Sequence, residues 1–420
     1  MITQKRLLAT GIALAMSMGS FNHAFADAEL DQLKETVALL QQQLEQVQEQ
    51  LREQETKSAS KLEVVELKQD VQRVAKQRSE WKDATSVVHL SGYGSVAYTD
   101  NENADGNFNQ VQFAPIFHYQ FADLLMLESE LEIQTTADGA TSTDMEYLAL
   151  DLFLGDYATL VAGKFLSPIG QFRQNFHPGW INKLPSAPPG FGHDGAAPLA
   201  ETGLQLRGGF PLGAARANYA VYLSNGPELE AVEEDEEMEL EGVMADGNAR
   251  DLDGDKALGA RFGLLPLPGL EVGVSAATGK AAVTSLDGEN LSSADPSRDY
   301  DVLGADLTGH WHGFDVRAEY VQTEIGDDRS AATTASEGAR WKTWYTQIAY
   351  QFPPTKLEGV LRYGEFDSPH LSEDQKQWAL GVNYLFAPQV IAKLAYHFND
   401  GRSGERSDED SLQIQMSYGF

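Results

Sequence analysis

Charged side chains carry the chemistry open to this chain, and their spacing narrows what that chemistry is. Asp251, Asp253 and Asp255 begin like a calcium-binding loop, but Lys256 stands where the sharp turn needs glycine and Phe262 where a closing glutamate belongs, so chelation is not expected. His193-Asp194 alone is too little for a hydrolytic constellation, which needs a nucleophile or a second carboxylate, so neither catalysis nor a cofactor is expected. The chain has no cysteine, which excludes thiolate metal sites, disulfides and a lipid anchor on an N-terminal cysteine. What remains is alternating charge. Read as strands with one inner face, the chain places Lys164, Arg207, Arg216 and Arg261 inward, with Glu128, Glu130, Glu132 and Asp151 on preceding strands. Further on, Arg317, Arg362 and Lys393 stand beside Asp306, Asp315, Glu319 and Glu358. Opposed basic and acidic walls would set a transverse field across an aqueous passage, whereas charges that merely pair would set none.

The elements that position these residues are read from periodicity. From Val87 onward, segments of about ten residues alternate apolar with polar or small residues, the signature of transmembrane strands. Leu125, Leu127, Leu131 and Ile133 alternate with Glu128, Glu130 and Glu132, and Trp378, Leu380, Val382, Tyr384 and Phe386 line one face of a later strand. Sixteen segments follow the rule, from 87–100, 107–121 and 124–137 to 388–399 and 409–420. Tight connections, among them Ala122-Asp123, His312-Gly313 and Ala387-Pro388, alternate with longer polar ones, placing short turns at the periplasmic end and long loops outside.

The N-terminal part reads differently. Lys5 and Arg6 precede an apolar run, Leu7 to Met18, and Ala24-Phe25-Ala26 supplies a cleavage point, so residues 1–26 are expected to be a signal peptide. Leu30, Leu33, Val37, Leu40, Leu44, Val47 and Leu51 then form a seam with alternating spacings of three and four, and residues 27–80 are expected to be a short α-helical coiled coil in the periplasm. The expected fold is therefore an all-β transmembrane barrel of about 16 antiparallel strands, residues 87–420, preceded by that coiled coil.

Two long segments interrupt the strands. Ile169 to Leu199 carries Pro178, Pro185, Pro188, Pro189 and Pro198 and is expected to fold into the lumen and narrow it, with Arg173, His177, Trp180, Lys183, His193 and Asp194 as pore-facing candidates. Glu228 to Asp255 packs seven acidic residues between 233 and 241 and is expected to stay extended or disordered by self-repulsion. The whole chain has 31 Lys plus Arg against 63 Asp plus Glu, a formal charge of -32, which argues against nucleic acid as a partner. The last strand, Leu412, Ile414, Met416, Tyr418 and Phe420, ends on an aromatic residue, resembling the terminal signal that outer-membrane assembly machinery reads.

Gly163-Lys164-Phe165-Leu166-Ser167-Pro168-Ile169-Gly170, Glu201-Thr202-Gly203-Leu204-Gln205-Leu206 and Leu223-Ser224-Asn225-Gly226 resemble the phosphate-selective porin superfamily. A coiled coil ahead of such a barrel resembles the dicarboxylate and siderophore coiled-coil porins. The resemblance implies passive diffusion of small hydrophilic solutes, anionic or zwitterionic, across the outer membrane of a Gram-negative bacterium. It also implies contact with membrane lipid and lipopolysaccharide, and a homotrimer as in the dicarboxylate porins or a monomer as in the siderophore porins, the homotrimer being the expectation. A dense basic lining is missing, so phosphate specificity is not carried over. Uptake of a specific ligand such as an iron siderophore, stacked on Phe172, Phe176, Trp180 and Phe191, is the alternative reading, and an envelope tether with a plugged barrel a further one.

Overall fold

The computed structural model describes residues 86–135, 139–192, 195–196, 198–234, 237–244, 251–328, 330, 335–370 and 372–420. Its strands are β1 (Ser86–Asn101), β2 (Asn107–Phe121), β3 (Leu125–Thr135), β4 (Thr141–Gly155), β5 (Ala158–Leu166), β6 (Ala200–Leu212), β7 (Ala215–Ser224), β8 (Glu228–Glu234), β9 (Glu237–Met244) and β10 (Ala257–Leu267). They continue with β11 (Leu270–Leu286), β12 (Glu289–Asn290), β13 (Arg298–Trp311), β14 (Phe314–Ile325), β15 (Ala339–Gln351), β16 (Leu357–Asp367), β17 (Gln375–Ala387), β18 (Val390–Gly401) and β19 (Ser411–Gly419).

Sixteen of them, β1 to β7, β10, β11 and β13 to β19, pair antiparallel with their barrel neighbours. The sheet closes where β19 pairs with β1, from Tyr93 opposite Gly419 to Asn101 opposite Ser411. Closure leaves no barrel strand with an open edge, as hydrocarbon requires of any β structure that spans it. The alternation that specifies the strands also sorts their faces. On β17, Trp378, Leu380, Val382, Tyr384 and Phe386 are 41 to 52% exposed on the outer face, whereas Gln377, Ala379 and Asn383 are at most 6% exposed on the inner one. Two-residue turns join strands at one end: His312 and Gly313, at φ 47° and 86°, make the left-handed pair that a tight hairpin needs.

Two expectations are corrected here. The first concerns the coiled coil: among the described residues the only helical pieces are a π-helical turn, Phe172–Phe176, and a 3-10 turn, Arg406–Asp408, and none is long and apolar enough to cross a membrane. The barrel strands alternate with period two and the described residues hold no helix longer than one turn, so the expected fold of a barrel with a helical coiled coil is corrected, for the described residues, to an all-β barrel of sixteen strands. The expected signal peptide and the Leu30 to Leu51 seam lie outside the described residues, and the periplasmic placement of a coiled coil falls with it.

The second correction concerns the acidic segment. Its described residues form a hairpin, β8 with β9, and β8 also pairs parallel with the end of β11. Period two explains this as well. Leu229, Ala231 and Leu240 alternate with glutamates and are at most 3% exposed, so the apolar face is buried while Glu233 and Glu239 remain exposed. Burial of one face outweighs repulsion between solvated charges on the other.

Candidate functional site: a lumen loop and a charged wall

Between β5 and β6 the chain turns into the barrel. Gly170 makes the turn at φ 76°, where a Cβ would overlap the carboxylate of Glu319 on β14. That carboxylate accepts the backbone N–H groups of Gln171 and Phe172 at 3.2 and 3.0 Å, satisfying donors at the start of the π-helical turn. Beyond this turn five prolines each lack an N–H and interrupt regular secondary structure, so a few local turns form and many carbonyls are left without a backbone donor.

Donors on the inner wall meet those carbonyls in series. Arg317 donates to Ile181 O at 3.3 Å, Asn383 to Lys183 O at 2.9 Å, and Lys393 to Gly179 O and, at 3.2 Å, Leu184 O. Arg362 donates to Ser186 O and Ala187 O, both at 3.0 Å, and to Ser186 Oγ at 3.1 Å. Thr343 reaches Pro189 O at 2.6 Å and Thr323 reaches Ala196 O at 2.7 Å. Lys183 pairs with Glu358 at 2.8 Å. Apolar contacts seal the same seam: Leu184 is fully buried against Ala349, Val360, Ala379 and Ala395. Phe172, Phe191 and Tyr345 pack edge to face, and the Arg317 guanidinium lies 4.1 Å above the Phe176 ring. The loop is thereby fastened along β14 to β18.

Eight strands round the barrel from β14 and β15 lie β3 and β4. Glu130 and Glu132 face inward from β3 and are 2% and 8% exposed. Among the described residues no Lys or Arg forms an ion pair with either. His177 Nε2, on the loop, stands 3.8 Å from Glu130 Oε1. Arg173, one turn before His177, is buried with Nε and Nη2 lacking a protein partner. The hydrogen-bond partners of Arg362 and Lys393 are neutral: carbonyls, Ser186 Oγ, Gln377 and Gln415. Among the described residues neither basic group has a carboxylate partner; both stand behind the loop, Arg362 six strands and Lys393 four strands round the barrel from β3.

The expected opposition between strands five to eight and strands three and four is not what forms. Arg207 on β6 reaches back to Glu128, at 2.9 Å, and to Asp151, because these strands are near neighbours and not opposite walls. Arg261 pairs with Asp306 at 2.6 Å and Glu271 at 3.0 Å. Arg216 shares the inward parity of Asn218 but sits exposed next to the β6–β7 turn. Lys164 is on the other face: it is opposite Leu148, which is 40% exposed, while its neighbours Val161 and Phe165 are buried inward. Trp180 packs against Gly419 of β19, and His193 and Asp194 lie outside the described residues. Phe420 exchanges backbone hydrogen bonds with Gly92 at 2.9 and 3.0 Å and stacks on Phe113, with Tyr418 beside it, at the barrel seam. Sequence reasoning missed Thr323, Thr343, Asn383 and Gln415 as loop anchors. Their one signal was inward parity on strands facing a segment too rich in proline to bond itself.

A family model described as Gram-negative porin matches residues 238–420, less than half of the chain. No curated protein sequence matches. Among solved structures, a loop L8 deletion mutant of OmpT, an outer membrane protein of Vibrio cholerae, is 11% identical with a TM-score of 0.52, covering 80% of this chain and 100% of that one. The anion-selective porin from Comamonas acidovorans is 13% identical with a TM-score of 0.53, covering 80% and 100%. The outer membrane channel DcaP of Acinetobacter baumannii is 13% identical with a TM-score of 0.50, covering 81% and 99%. The last two are described as a porin and a channel.

The resemblance to phosphate-selective and coiled-coil porins is corrected by these findings. The matched segment begins after all three motifs that suggested it. Those motifs answer to backbone geometry instead: Gly163, Gly170 and Gly226 have φ of 131°, 76° and 80°, and they bracket the inward turn and the end of β7. What the comparisons show is the barrel fold shared by bacterial porins.

Proposed function

We propose that this chain is an outer-membrane porin that lets small hydrophilic solutes diffuse passively through a lumen narrowed by residues 169–199. The observation that carries the reading is the fastening of that loop along one wall, β14 to β18, which holds it inside the barrel as a fixed constriction. Sixteen strands enclose enough cross-section for an aqueous channel even with one loop inside. Glu130 and Glu132 on β3 and the sheathed basic groups Arg362 and Lys393, six and four strands round the barrel, set a field in which dipolar solutes orient, so zwitterions are the solute class proposed. Small cations pass more readily than anions, because the cations of the wall stand behind the loop.

A ligand-specific uptake site is less well supported. Phe172 and Phe191, which would have to stack a ligand, are at most 3% exposed and packed against Tyr345. The test is single-channel conductance of the mature, refolded protein in a planar bilayer, with a potassium chloride gradient to read selectivity. A measurable conductance with cation preference supports the proposal, and steps in multiples of three would add the trimer. A folded barrel without conductance overturns the diffusion reading in favour of a plugged one.

A further inference from the structure

His89 on β1 and His118 on β2 are direct cross-strand partners, and Glu128 on β3 is the direct partner of His118. All three share the inward parity of Tyr93, which is buried, while Leu90 and Phe117 next to them are exposed on the outer face. The row sits three residues from the β2–β3 turn, about 10 Å along the strands, in a part of the lumen where no contact with the loop is seen among the described residues. The two Nδ1 atoms are 3.5 Å apart. The ring centroids are 5.8 Å apart and the planes differ by 3°. That centroid separation equals the N···N distance plus the two centroid-to-nitrogen radii, so the rings are coplanar and meet edge to edge. Face-to-face stacking would bring the centroids closer. Both Nδ1 lone pairs therefore aim into one gap.

We propose that His89 and His118 form a binding site for a transition-metal dication of the zinc, nickel or copper class inside the lumen. With both Nδ1 unprotonated, two metal–nitrogen bonds of about 2.0–2.1 Å at a tetrahedral angle span roughly 3.3–3.4 Å between nitrogens, so the observed gap fits once each ring turns about 35° off the line joining them. Imidazole nitrogen selects these ions over magnesium or calcium. Among the described residues no group of three or more His, Cys, Asp or Glu converges on one ion position, so the protein gives two ligands and water fills the rest. Glu128 binds Arg207 through Oε1 at 2.9 Å, which leaves Oε2 to accept a hydrogen bond from a metal-bound water. His89 is exposed and His118 half-buried, so the gap is open to the lumen. A bound dication there adds positive charge beside the conduction path and lowers cation flow.

The test uses the untagged, folded mature chain and nickel, copper or zinc salts. Calorimetric titration of the wild type and of His89→Ala, His118→Ala and the double variant reads the stoichiometry, and bilayer current before and after zinc reads the consequence. One equivalent bound by the wild type, with affinity at least tenfold weaker in each single variant and zinc insensitivity of the current in the double variant, supports the site. Failure of the wild type to bind, or binding unchanged in the double variant, overturns it and leaves the pair as a simple N–H···N contact. Both side chains are in contact with water, so the variants retain the barrel, and heat-modifiable migration in gels verifies this. Binding is read independently of conduction, so a plugged barrel would refute the proposed function without touching this inference.

Discussion

Removing Arg362 should loosen the lumen loop by an amount that can be worked out from its contacts. Its guanidinium donates three hydrogen bonds to the loop, at 3.0, 3.1 and 3.0 Å, and one to Gln377 at 2.9 Å. Hydrogen bonds from a charged donor contribute about 1.5–3 kcal/mol each, but burying the guanidinium costs several kcal/mol, so Arg362→Ala should lower the free energy of loop opening by roughly 3 kcal/mol. At about 1.4 kcal/mol per decade, the open population rises by roughly two orders of magnitude. The chain has no cysteine, so a single Leu184→Cys reports opening against a clean background. Leu184 is fully buried between loop and wall, and its modification by a membrane-impermeant thiol reagent requires the loop to detach. The rate in Leu184→Cys/Arg362→Ala should exceed that in Leu184→Cys about a hundredfold. Arg362→Lys, which keeps the charge but not the fork, should fall between them. A folded Arg362→Ala barrel whose rate changes by less than about threefold would refute the claim that wall cations hold this loop through its carbonyls.

Other outcomes follow from the same geometry. Arg207→Ala leaves Glu128 and Asp151 without their cation; one extra net charge about 5 Å from the path is worth roughly 0.8 kcal/mol in water, with opposite sign for a cation and an anion, so the cation-to-anion permeability ratio should rise roughly fifteenfold in a reversal-potential measurement. Lys164→Ala should leave that ratio unchanged, because Lys164 shares the lipid-facing parity, and a shift equal to that of Arg207→Ala would show the parity to be wrong. Gly170→Ala forces a side chain into left-handed backbone at a cost of about 1–2 kcal/mol and against Glu319, so it should accelerate labelling of Leu184→Cys even with Arg362 intact. Leu229→Ala should cost about 2–4 kcal/mol, confined to the hairpin: amide exchange in β8 and β9 should quicken while β16 to β18 stay protected, and uniform loss of protection would contradict a separate cap.

The barrel was legible in the sequence because hydrocarbon imposes one rule on every strand, apolar outward and polar or small inward, and the rule reads directly as period two. The acidic hairpin obeys the same period. It was hidden because its composition, read as bulk charge, outweighed the position of Leu229, Ala231 and Leu240 within it. Strand β5 shows where the rule breaks. Val161 and Phe165 are apolar yet point inward, because the incoming loop turns that part of the lumen into a hydrophobic core, and Phe165 meets Tyr222 there at a ring separation of 6.1 Å. Any parity count that sends polar residues inward must therefore misplace Lys164.

The loop's anchors were hidden for a different reason. Arg362 and Ser186 are 176 residues apart, and what the arginine recognises is largely backbone carbonyl, which every residue has and no side-chain pattern records. Inward parity showed that Arg317, Arg362 and Lys393 share a wall; it could not show that a proline-rich segment short of N–H donors would need them. Proline content is thus the half of the contact that sequence does display. A segment whose prolines interrupt regular structure leaves carbonyls without backbone donors, and inside a barrel these draw donors from the wall. Where those donors are arginine and lysine, the same residues that look like a selectivity filter serve as fasteners, and the bias on passage falls to Glu130 and Glu132, which none of these cations pairs.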